Sequence, residues 1–412
     1  MKVKSFGCGN YKAFSSDVLV ELRPLTLIFG KNNSGKSALM RLPRLLLRAI
    51  SARQHRKLPL IVDGLSYGRI FRELIYNGYR DGGLRFSISM ECDSTNFDLQ
   101  VEMQNIRSQD KLLEYAQDIA VVSKWGFQGF SKRLEWSWEP QADEIVAYKG
   151  VGRVPFRGLL PDLGRDWTDA ELSSQISALR EDVEEFELRL EHLGPFRKGV
   201  RRVYEIGPVG PIDLLGEGAI NHLVHDPQLL AAVGAWYQQN LEGWRLSLGQ
   251  TMGWEAVEPM LSRGNTTVNL VEGGEGMQYL LPVVVQQLGC QLRDRGPFLH
   301  LIEEPELHLH AAAHAALGDL FLDTAKTRRG QVIVETHSEN LLLRIRRRIA
   351  EGVVDPDLVA VYWVENQRDQ SNVRRIEIMP DGEVDWWPEG VFSEGYKEVR
   401  AMRFAARNRG VG

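Results

Sequence analysis

Eight residues near the N-terminus have the spacing of a phosphate-binding loop. Residues 30–37 read Gly-Lys-Asn-Asn-Ser-Gly-Lys-Ser, which matches G-x-x-x-x-G-K-[ST] in full. In such a loop the glycines allow backbone N–H groups to wrap a triphosphate. Lys36 is predicted to reach the β- and γ-phosphates, and the Ser37 hydroxyl to bind Mg²⁺. The residues expected around the nucleotide phosphates are Gly30, Asn32, Asn33, Ser34, Gly35, Lys36, Ser37 and Ala38.

Two adjacent carboxylates follow a mostly apolar segment later in the chain. Residues 298–302 read Phe-Leu-His-Leu-Ile, and Glu303 and Glu304 come directly after them. Adjacent residues at a strand end point to different sides, so the two carboxylates can take different roles. Glu303 is predicted to bind Mg²⁺, directly or through water, and Glu304 to accept a proton from the water that attacks the γ-phosphate. The alternative is a solvated acidic turn, which the intact loop upstream disfavours.

Two further segments lie in an order that favours the same site. His337 follows the apolar residues 332–334, and a histidine at the carboxyl end of a strand is well placed to contact the γ-phosphate. Residues 272–279, Glu-Gly-Gly-Glu-Gly-Met-Gln-Tyr, form a Gly-rich turn at the start of an apolar helical segment. Such a turn offers N–H groups to an anion, although a plain loop is the alternative for this motif alone.

The elements that must position these residues can be predicted from periodicity. Residues 25–29 indicate a buried strand before the loop, and residues 38–42 a helix after it. Period-two alternation at 84–90, 97–101 and 134–138 predicts an antiparallel β-subdomain with one solvated face. Further predicted elements are a charged amphipathic helix over 169–192, a helix over about 226–241, and strands over 297–302 and 331–335. The helix over 169–192 is expected to lie on the surface; a partner-binding helix is the alternative.

Composition excludes several classes of protein. The 412 residues carry a formal net charge of -5, and the three cysteines form no C-x-x-C pair, which disfavours a zinc ribbon or a disulfide framework. No signal peptide and no apolar run long enough for a membrane are found, so a cytoplasmic protein without membrane contact is expected. DNA could be held only by local basic clusters. These are Arg44, Arg48, Arg53, Arg56 and Lys57; Arg197, Lys198, Arg201 and Arg202; and Arg344, Arg346, Arg347 and Arg348.

Taken in order, these motifs carry a resemblance to a known family. The phosphate loop, the Gly-rich turn, the segment Glu-Glu-Pro-Glu-Leu-His-Leu-His at 303–310 and Thr-His-Ser at 336–338 resemble ABC-class ATPases of the SMC/RecF/OLD group. The tail at 387–394 is similar to the C-terminal segment of stand-alone bacterial defence-type ATPases, whose end domain has no assigned function. The implied fold class is α/β: an ABC-type ATPase head with a mixed central sheet, an antiparallel β-subdomain and an inserted helical lobe.

The resemblance also implies a division of the chain and a way of working. Residues 1–150 would form an N-terminal ATPase lobe, 151–295 a helical lobe with the signature turn, and 296–412 a C-terminal ATPase lobe. ATP and Mg²⁺ would be sandwiched in a head-to-tail dimer of two copies, with Gly274 and Gly276 near the γ-phosphate bound by the partner. Lys12 would lie near the nucleotide. Gln278 stands where the family usually has serine, and its amide is still able to donate a hydrogen bond across the interface.

The sequence contains no motif of an attached effector. We find no nuclease pattern of the H-x-x-E-H, H-N-H or PD-(D/E)xK kind, so the resemblance implies a separately encoded nuclease or toxin as partner in anti-phage defence. Three alternatives stay open at this point: a DNA repair or recombination clamp like RecF or SMC heads, a nucleotide-locked binding module with little turnover, and a GTPase. The GTPase is disfavoured because no N-K-x-D motif follows the loop.

Overall fold

The computed structural model describes residues 1–51, 57–78, 83–93, 95–107, 118–138, 147–149, 151–164, 167–250, 255–294, 296–367, 369–388 and 401–402. Its strands are β1 Lys2–Gly9, β2 Val18–Glu21, β3 Leu25–Gly30, β4 Ile61–Val62, β5 Leu65–Ser66, β6 Leu84–Cys92, β7 Thr95–Arg107, β8 Asp118–Gly129, β9 Lys132–Ser137, β10 Ala147–Tyr148, β11 Gly152–Arg153, β12 Phe156–Arg157, β13 Leu160–Pro161, β14 Leu190–Leu193, β15 Tyr204–Glu205, β16 Arg245–Gln250, β17 Ala256–Arg263, β18 Thr266–Asn269, β19 Leu299–Glu303, β20 Gln331–Glu335, β21 Val359–Gln367 and β22 Gln370–Ile376. Its α-helices are α1 Lys36–Met40, α2 Leu42–Ser51, α3 Ala170–Glu187, α4 Ala219–His225, α5 Pro227–Asn240, α6 Glu275–Leu292, α7 Ala311–Lys326 and α8 Glu339–Ala350.

A six-stranded mixed sheet lies at the centre of the structure. Its order is β14-β19-β20-β3-β21-β22, and every pair is parallel except the antiparallel pair β21–β22. The strands β3, β19 and β20 are buried along their whole length, as expected for strands covered on both faces. Because β3, β19 and β20 are parallel neighbours, their carboxyl ends meet at one edge of the sheet.

The central sheet separates two hydrophobic cores. On β3, Leu25, Leu27 and Phe29 point into one core, which includes apolar residues of α4 to α8. Ile28 points into the other core, which includes apolar residues of the antiparallel strands and of α2 and α3. The alternation follows from the period-two geometry of a strand, and it makes the molecule a layered α/β structure.

The predicted antiparallel β-subdomain is confirmed, and it is larger than the sequence suggested. The order β2-β1-β6-β7-β8-β9 is antiparallel throughout, so the N-terminal strands belong to the same sheet as the three predicted ones. Along β6, every second residue from Leu84 to Met90 is buried. Helices α4, α5 and α6 share a hydrophobic core with a small antiparallel sheet, β15 to β18, that periodicity did not predict.

One predicted element is wrong at its C-terminal end. The helix expected over 169–192 stops at Glu187, and Leu190–Leu193 is instead strand β14, the edge of the central sheet beside β19. Leu190 continued the helical spacing of apolar residues, but its partner in the structure is Leu299. In the structure α3 lies against α2 and shares no core with α4 to α6. The division of the chain at residues 150 and 295 stays a prediction.

Candidate functional site

The phosphate-binding loop joins β3 to α1, as the motif predicted. Gly35 precedes α1 with φ of 91°, a left-handed conformation that favours glycine. A Cβ at Gly35 would also lie only 3.1 Å from Ala13 Cβ and from the ring of Phe14. This close packing holds the loop against the N-terminal segment, so a side chain larger than glycine at position 35 would displace the loop.

The polar side chains of this loop face a cavity. The Lys36 ammonium is buried and donates to the carbonyl of Lys31 at 2.8 Å. Burial lowers the pKa of Lys36, and the charges of Glu335 and Glu304 oppose that shift. Ser34 Oγ is buried without a hydrogen-bond partner among the described residues, which fits a loop shaped to bind an acceptor such as phosphate.

The cavity beside the loop has a volume of about 850 Å³. Loop residues 33–38 form one wall, and Lys12, Ala13, Arg72 and Glu73 contribute to the others. Burial lowers the pKa of Lys12, while Glu73 opposes the shift. The structure therefore brings Lys12 to the same cavity as the phosphate loop, where the resemblance placed it. Asn32 and Gly30 belong to the loop but do not line this cavity.

Glu303 and Glu304 point to different environments, as expected for adjacent residues at a strand end. Glu303 is buried in an ion-pair cluster: Arg41 donates to its two oxygens at 2.7 and 2.6 Å, and His192 Nε2 lies 2.7 Å from Oε1. Burial acts to raise the pKa of Glu303, but hydrogen bonds from His192 and Arg41 outweigh it and the pKa is lowered. This cluster was not predicted, because it joins residues distant in sequence.

Glu304 lies beside the histidine predicted to share its site. Its carboxylate Oε1 is 3.9 Å from His337 Nε2, and its backbone N–H donates to the carbonyl of Glu335 at 2.8 Å. Glu304 has φ of 43°, so its backbone is held in a sparsely populated conformation. Burial and the charge of Lys36 lower the pKa of His337, which favours the neutral ring.

Arg197 holds the backbone of Glu303 and Glu304 in place. Its guanidinium donates to the carbonyl oxygens of Gly194 and Glu303 at 3.0 Å each, and to that of Glu304 at 2.8 Å. Arg197 is buried, although it was predicted only as a member of a basic cluster. Nothing in the spacing of that cluster distinguishes Arg197 from its exposed neighbours.

Glu335 is a further site residue that the sequence did not indicate. It ends β20, and its Oε1 accepts a hydrogen bond of 2.9 Å from the Ser37 hydroxyl. Burial raises the pKa of Glu335 to about 7, and the charge of Glu303 adds to the shift. A single carboxylate at the end of the apolar strand segment 332–334 was the signal available. The carboxylate that contacts Ser37 is thus Glu335, whereas Glu303 is bonded to Arg41 and His192.

The Gly-rich turn starts α6 and packs against the loop that follows β19. Gly274 precedes the helix and is exposed, but a Cβ at Gly276 would lie 2.5 Å from the carbonyl of His308. Gln278 does not point outward: its amide donates to the carbonyls of Val271 and Gly273 at 3.2 and 3.1 Å. The donor that we expected across an interface is therefore used within its own turn.

The donor set fits a nucleotide-bound Mg²⁺ better than a metal held by protein alone. Within the described residues, no group of three or more His, Cys, Asp or Glu side chains is placed to hold a metal ion. Mg²⁺ usually takes one or two protein ligands together with substrate phosphates. The Ser37 hydroxyl and a buried carboxylate beside it match that pattern.

The basic clusters that could hold DNA are largely paired with carboxylates of the same chain. Asp63 bonds Arg44 and Arg48, Glu217 bonds Lys198 and Arg201, and Asp319 bonds Arg344 and Arg348. Similar pairs involve Arg202, Arg346 and Arg347, while Arg53 and Arg56 lie outside the described residues. Among the described helices, none is long and apolar enough to cross a membrane.

Two family models match parts of the chain. Residues 220–342 match an AAA ATPase domain, a range that contains the Gly-rich turn, both acidic strand ends and His337. Residues 354–402 match a protein of unknown function, DUF3696. The second match confirms the expected C-terminal segment without an assigned function, although residues 389–394 of the similar tail lie outside the described residues. No curated protein matches the sequence.

Three solved structures of SMC head domains are similar to this chain. An SMC head bound to the C-winged helix domain of ScpA matches with 13% identity and a TM-score of 0.52, covering 92% of this chain and 99% of that chain. An SMC head domain from Thermotoga maritima matches with 11% identity and a TM-score of 0.45, covering 92% and 100% of the two chains. An SMC head domain with an extended coiled coil, from Pyrococcus furiosus, matches with 11% identity and a TM-score of 0.45 over 98% and 99%. The first of these likenesses and the mixed central sheet confirm the predicted α/β fold class, with the fold of an SMC head.

Proposed function

We propose that this chain, an ABC-class ATPase head by fold, binds and hydrolyses ATP and closes as a head-to-tail dimer that regulates a separately encoded effector. The observation that supports the ATPase most strongly is the meeting of three strand ends around the phosphate loop. Ser37 contacts Glu335 at 2.9 Å, and Glu304 lies 3.9 Å from His337. These side chains come from β3–α1, β19 and β20, which are neighbours in the sheet.

The residues have complementary roles in the proposed reaction. Glu304 accepts a proton from the water that attacks the γ-phosphate. Lys36 and the loop N–H groups stabilise the negative charge that develops on the transferred phosphoryl group. His337 is placed beside Glu304 to contact the γ-phosphate and to respond to its departure. When bound, Mg²⁺ neutralises charge on the phosphate oxygens, and Ser37 is the loop residue that would hold it.

Phosphate release from MgATP tests the reaction. Lys36→Ala and Glu304→Gln should each lower the rate at least about 100-fold, in the range expected for loss of a general base. Glu181→Gln, on the exposed face of α3, is a matched control and should hydrolyse ATP like the parent. If Glu304→Gln turns over ATP as the parent does, the assignment of the base is wrong.

The exposed Gly-rich turn supports the proposed dimer. Gly274 and Glu275 are exposed at the start of α6, so N–H groups of this turn are accessible to a nucleotide held by a second copy. A head-to-tail pair of this kind buries two equivalent sites and closes with two-fold symmetry. Gly276, buried against His308, positions the turn rather than reaching across.

The effector is proposed to be a nuclease or toxin of prokaryotic anti-phage defence. The chain contains no nuclease motif of its own, and an SMC head of the same fold is seen bound to a domain of ScpA, which supports a head acting through a partner protein. Cells carrying the gene with its neighbours should resist phage, and Glu304→Gln should change that resistance. Equal phage plating with and without the genes would contradict the defence role.

A DNA repair or recombination clamp is the second candidate, because the fold is that of an SMC head. It predicts that double-stranded DNA stimulates ATP hydrolysis by the purified protein alone. The pairing of Lys198 and Arg201 with Glu217 disfavours it, since that carboxylate reduces the positive charge that the cluster offers to DNA phosphates. Stimulation by DNA that vanishes at high salt would favour the clamp over the effector.

A further inference from the structure

We propose that Glu335, rather than Glu303, is the protein carboxylate that holds the Mg²⁺ of the bound nucleotide together with Ser37. The inference rests on the proposed ATP binding and assigns the metal ligand within that site. It differs from the sequence prediction, which gave this role to the first carboxylate after β19.

The contact with the loop serine is the first observation. In a phosphate-binding loop of this type the Ser hydroxyl is a ligand of the metal. The Ser37 hydroxyl donates to Glu335 Oε1 at 2.9 Å, so the two oxygens already lie together. An oxygen pair at that separation can serve as neighbouring ligands of one divalent cation.

The second observation is an unsatisfied oxygen. Glu335 is only 3% exposed, and its Oε2 is buried with no hydrogen-bond partner among the described residues. Burying a carboxylate oxygen without a donor is costly, and a bound ion or water is one of the ways in which folded proteins satisfy such an atom. A hard divalent cation satisfies a carboxylate oxygen directly.

Glu303 is committed to other partners. Arg41 forms a two-point ion pair with both of its oxygens, and His192 Nε2 lies 2.7 Å from Oε1. The Glu303 side chain is only 2% exposed. If Glu303 bound the metal, Arg41 would lose its ion pair with that carboxylate. Removing one partner of a largely buried ion pair is strongly unfavourable. Glu303 is thus a positioning residue that ties the α1–α2 junction to β19.

Sheet topology gives the same assignment. Glu303 and Glu335 are direct partners in the parallel register of β19 and β20, and β20 is the neighbour of β3. With strands about 4.8 Å apart, β20 is one strand from the loop and β19 is two strands from it. Glu335 is therefore the nearer of the two carboxylates to the loop that begins at Gly30.

The Mg²⁺ dependence of nucleotide affinity tests the assignment. AMP-PNP affinity is measured by calorimetry with Mg²⁺ and with EDTA, for the parent, Glu335→Gln, Glu335→Asp and Glu303→Gln. We expect Mg²⁺ to tighten binding at least tenfold in the parent. Glu335→Gln should lose most of that factor while its affinity in EDTA is unchanged or tighter, because a negative charge near the phosphates is removed. Glu335→Asp keeps a carboxylate and should keep part of the factor.

Glu303→Gln is the control of equal charge change. It should retain the Mg²⁺ factor within about threefold and lower the urea midpoint instead, because it breaks the Arg41 pair. If Glu303→Gln abolishes the Mg²⁺ factor and Glu335→Gln keeps it, the assignment is overturned. Should the parent bind AMP-PNP in neither condition, the proposed ATP binding fails as well, so the two failures are distinguishable. If Glu335→Gln does not fold, Glu335→Asp takes its place in the comparison. The assignment is then overturned if Mg²⁺ tightens AMP-PNP binding by Glu335→Asp as much as in the parent but no longer tightens binding by Glu303→Gln.

Discussion

Replacement of Arg197 by alanine should separate nucleotide binding from hydrolysis. Arg197 is 4% exposed, and its guanidinium makes three hydrogen bonds, to the carbonyls of Gly194, Glu303 and Glu304. Burial lowers the pKa of Arg197 to about 10, and the charges of Glu306, Glu304 and Glu303 oppose that shift. The side chain is therefore still a cation at neutral pH.

The expected loss of stability can be worked out from these hydrogen bonds. Hydrogen bonds to a charged group are worth about 1.5–3 kcal/mol each, and breaking one side of a buried charged cluster typically costs about 3–5 kcal/mol. We expect Arg197→Ala to lower the free energy of unfolding by about 3–5 kcal/mol. Release of the strained Glu304 backbone should misplace its carboxylate, and a displacement near 1 Å can cost about 100-fold in rate.

Urea unfolding, ATP affinity and steady-state phosphate release measure the three effects. ATP affinity should stay within about threefold of the parent, because Arg197 does not line the loop cavity. Arg201→Ala is the matched control: Arg201 is exposed, and its ion pair with Glu217 is worth less than about 1 kcal/mol. If Arg197→Ala hydrolyses ATP at the rate of Arg201→Ala, the proposed support of Glu304 is refuted.

Three further predictions concern the turn, the core and pH. Gln278→Ala should weaken ATP-dependent dimerisation in light scattering without changing ATP affinity, because the amide holds carbonyls of the turn; equal dimerisation would contradict this. Leu179→Ala, on the buried face of α3, should lower the free energy of unfolding by about 2–5 kcal/mol in urea, and exposed Ser177→Ala should change it little. Burial lowers the pKa of His300 to about 3, so the unfolded chain binds one more proton there between pH 6.5 and 3. His300 should therefore lower the free energy of unfolding by about 1.4 kcal/mol for each unit by which the pH decreases in that range. His300→Gln should remove this contribution, as measured by urea unfolding at several pH values.

The periodicity of apolar residues correctly predicted several strands and helices. The strand before the phosphate loop, the alternating strands of the antiparallel sheet and the helix over about 226–241 depend on periodicity and are confirmed. The opposed directions of Glu303 and Glu304 follow from strand geometry alone. Helical spacing failed at Leu190, because pairing with β19 overrode a pattern that continued only one step beyond α3.

The missed parts of the site depend on sheet order and on long-range contacts. Glu335 meets Ser37 because β20 lies between β19 and β3, and no property of either short segment shows that order. The bond from Arg197 to Glu304 spans 107 residues, and that from His192 to Glu303 spans 111 residues. A buried arginine and a buried histidine have no composition or spacing that distinguishes them from exposed ones.

In the proposed mechanism ATP joins two copies of the chain, and Glu304 is the base whose loss leaves the dimer closed. Light scattering on purified Glu304→Gln, with and without MgATP, tests it most directly. We predict the mass of one chain without nucleotide and of two chains with it, while Lys36→Ala stays at the mass of one chain in both conditions. A Glu304→Gln protein that binds ATP yet keeps the mass of a single chain would contradict ATP-dependent dimerisation.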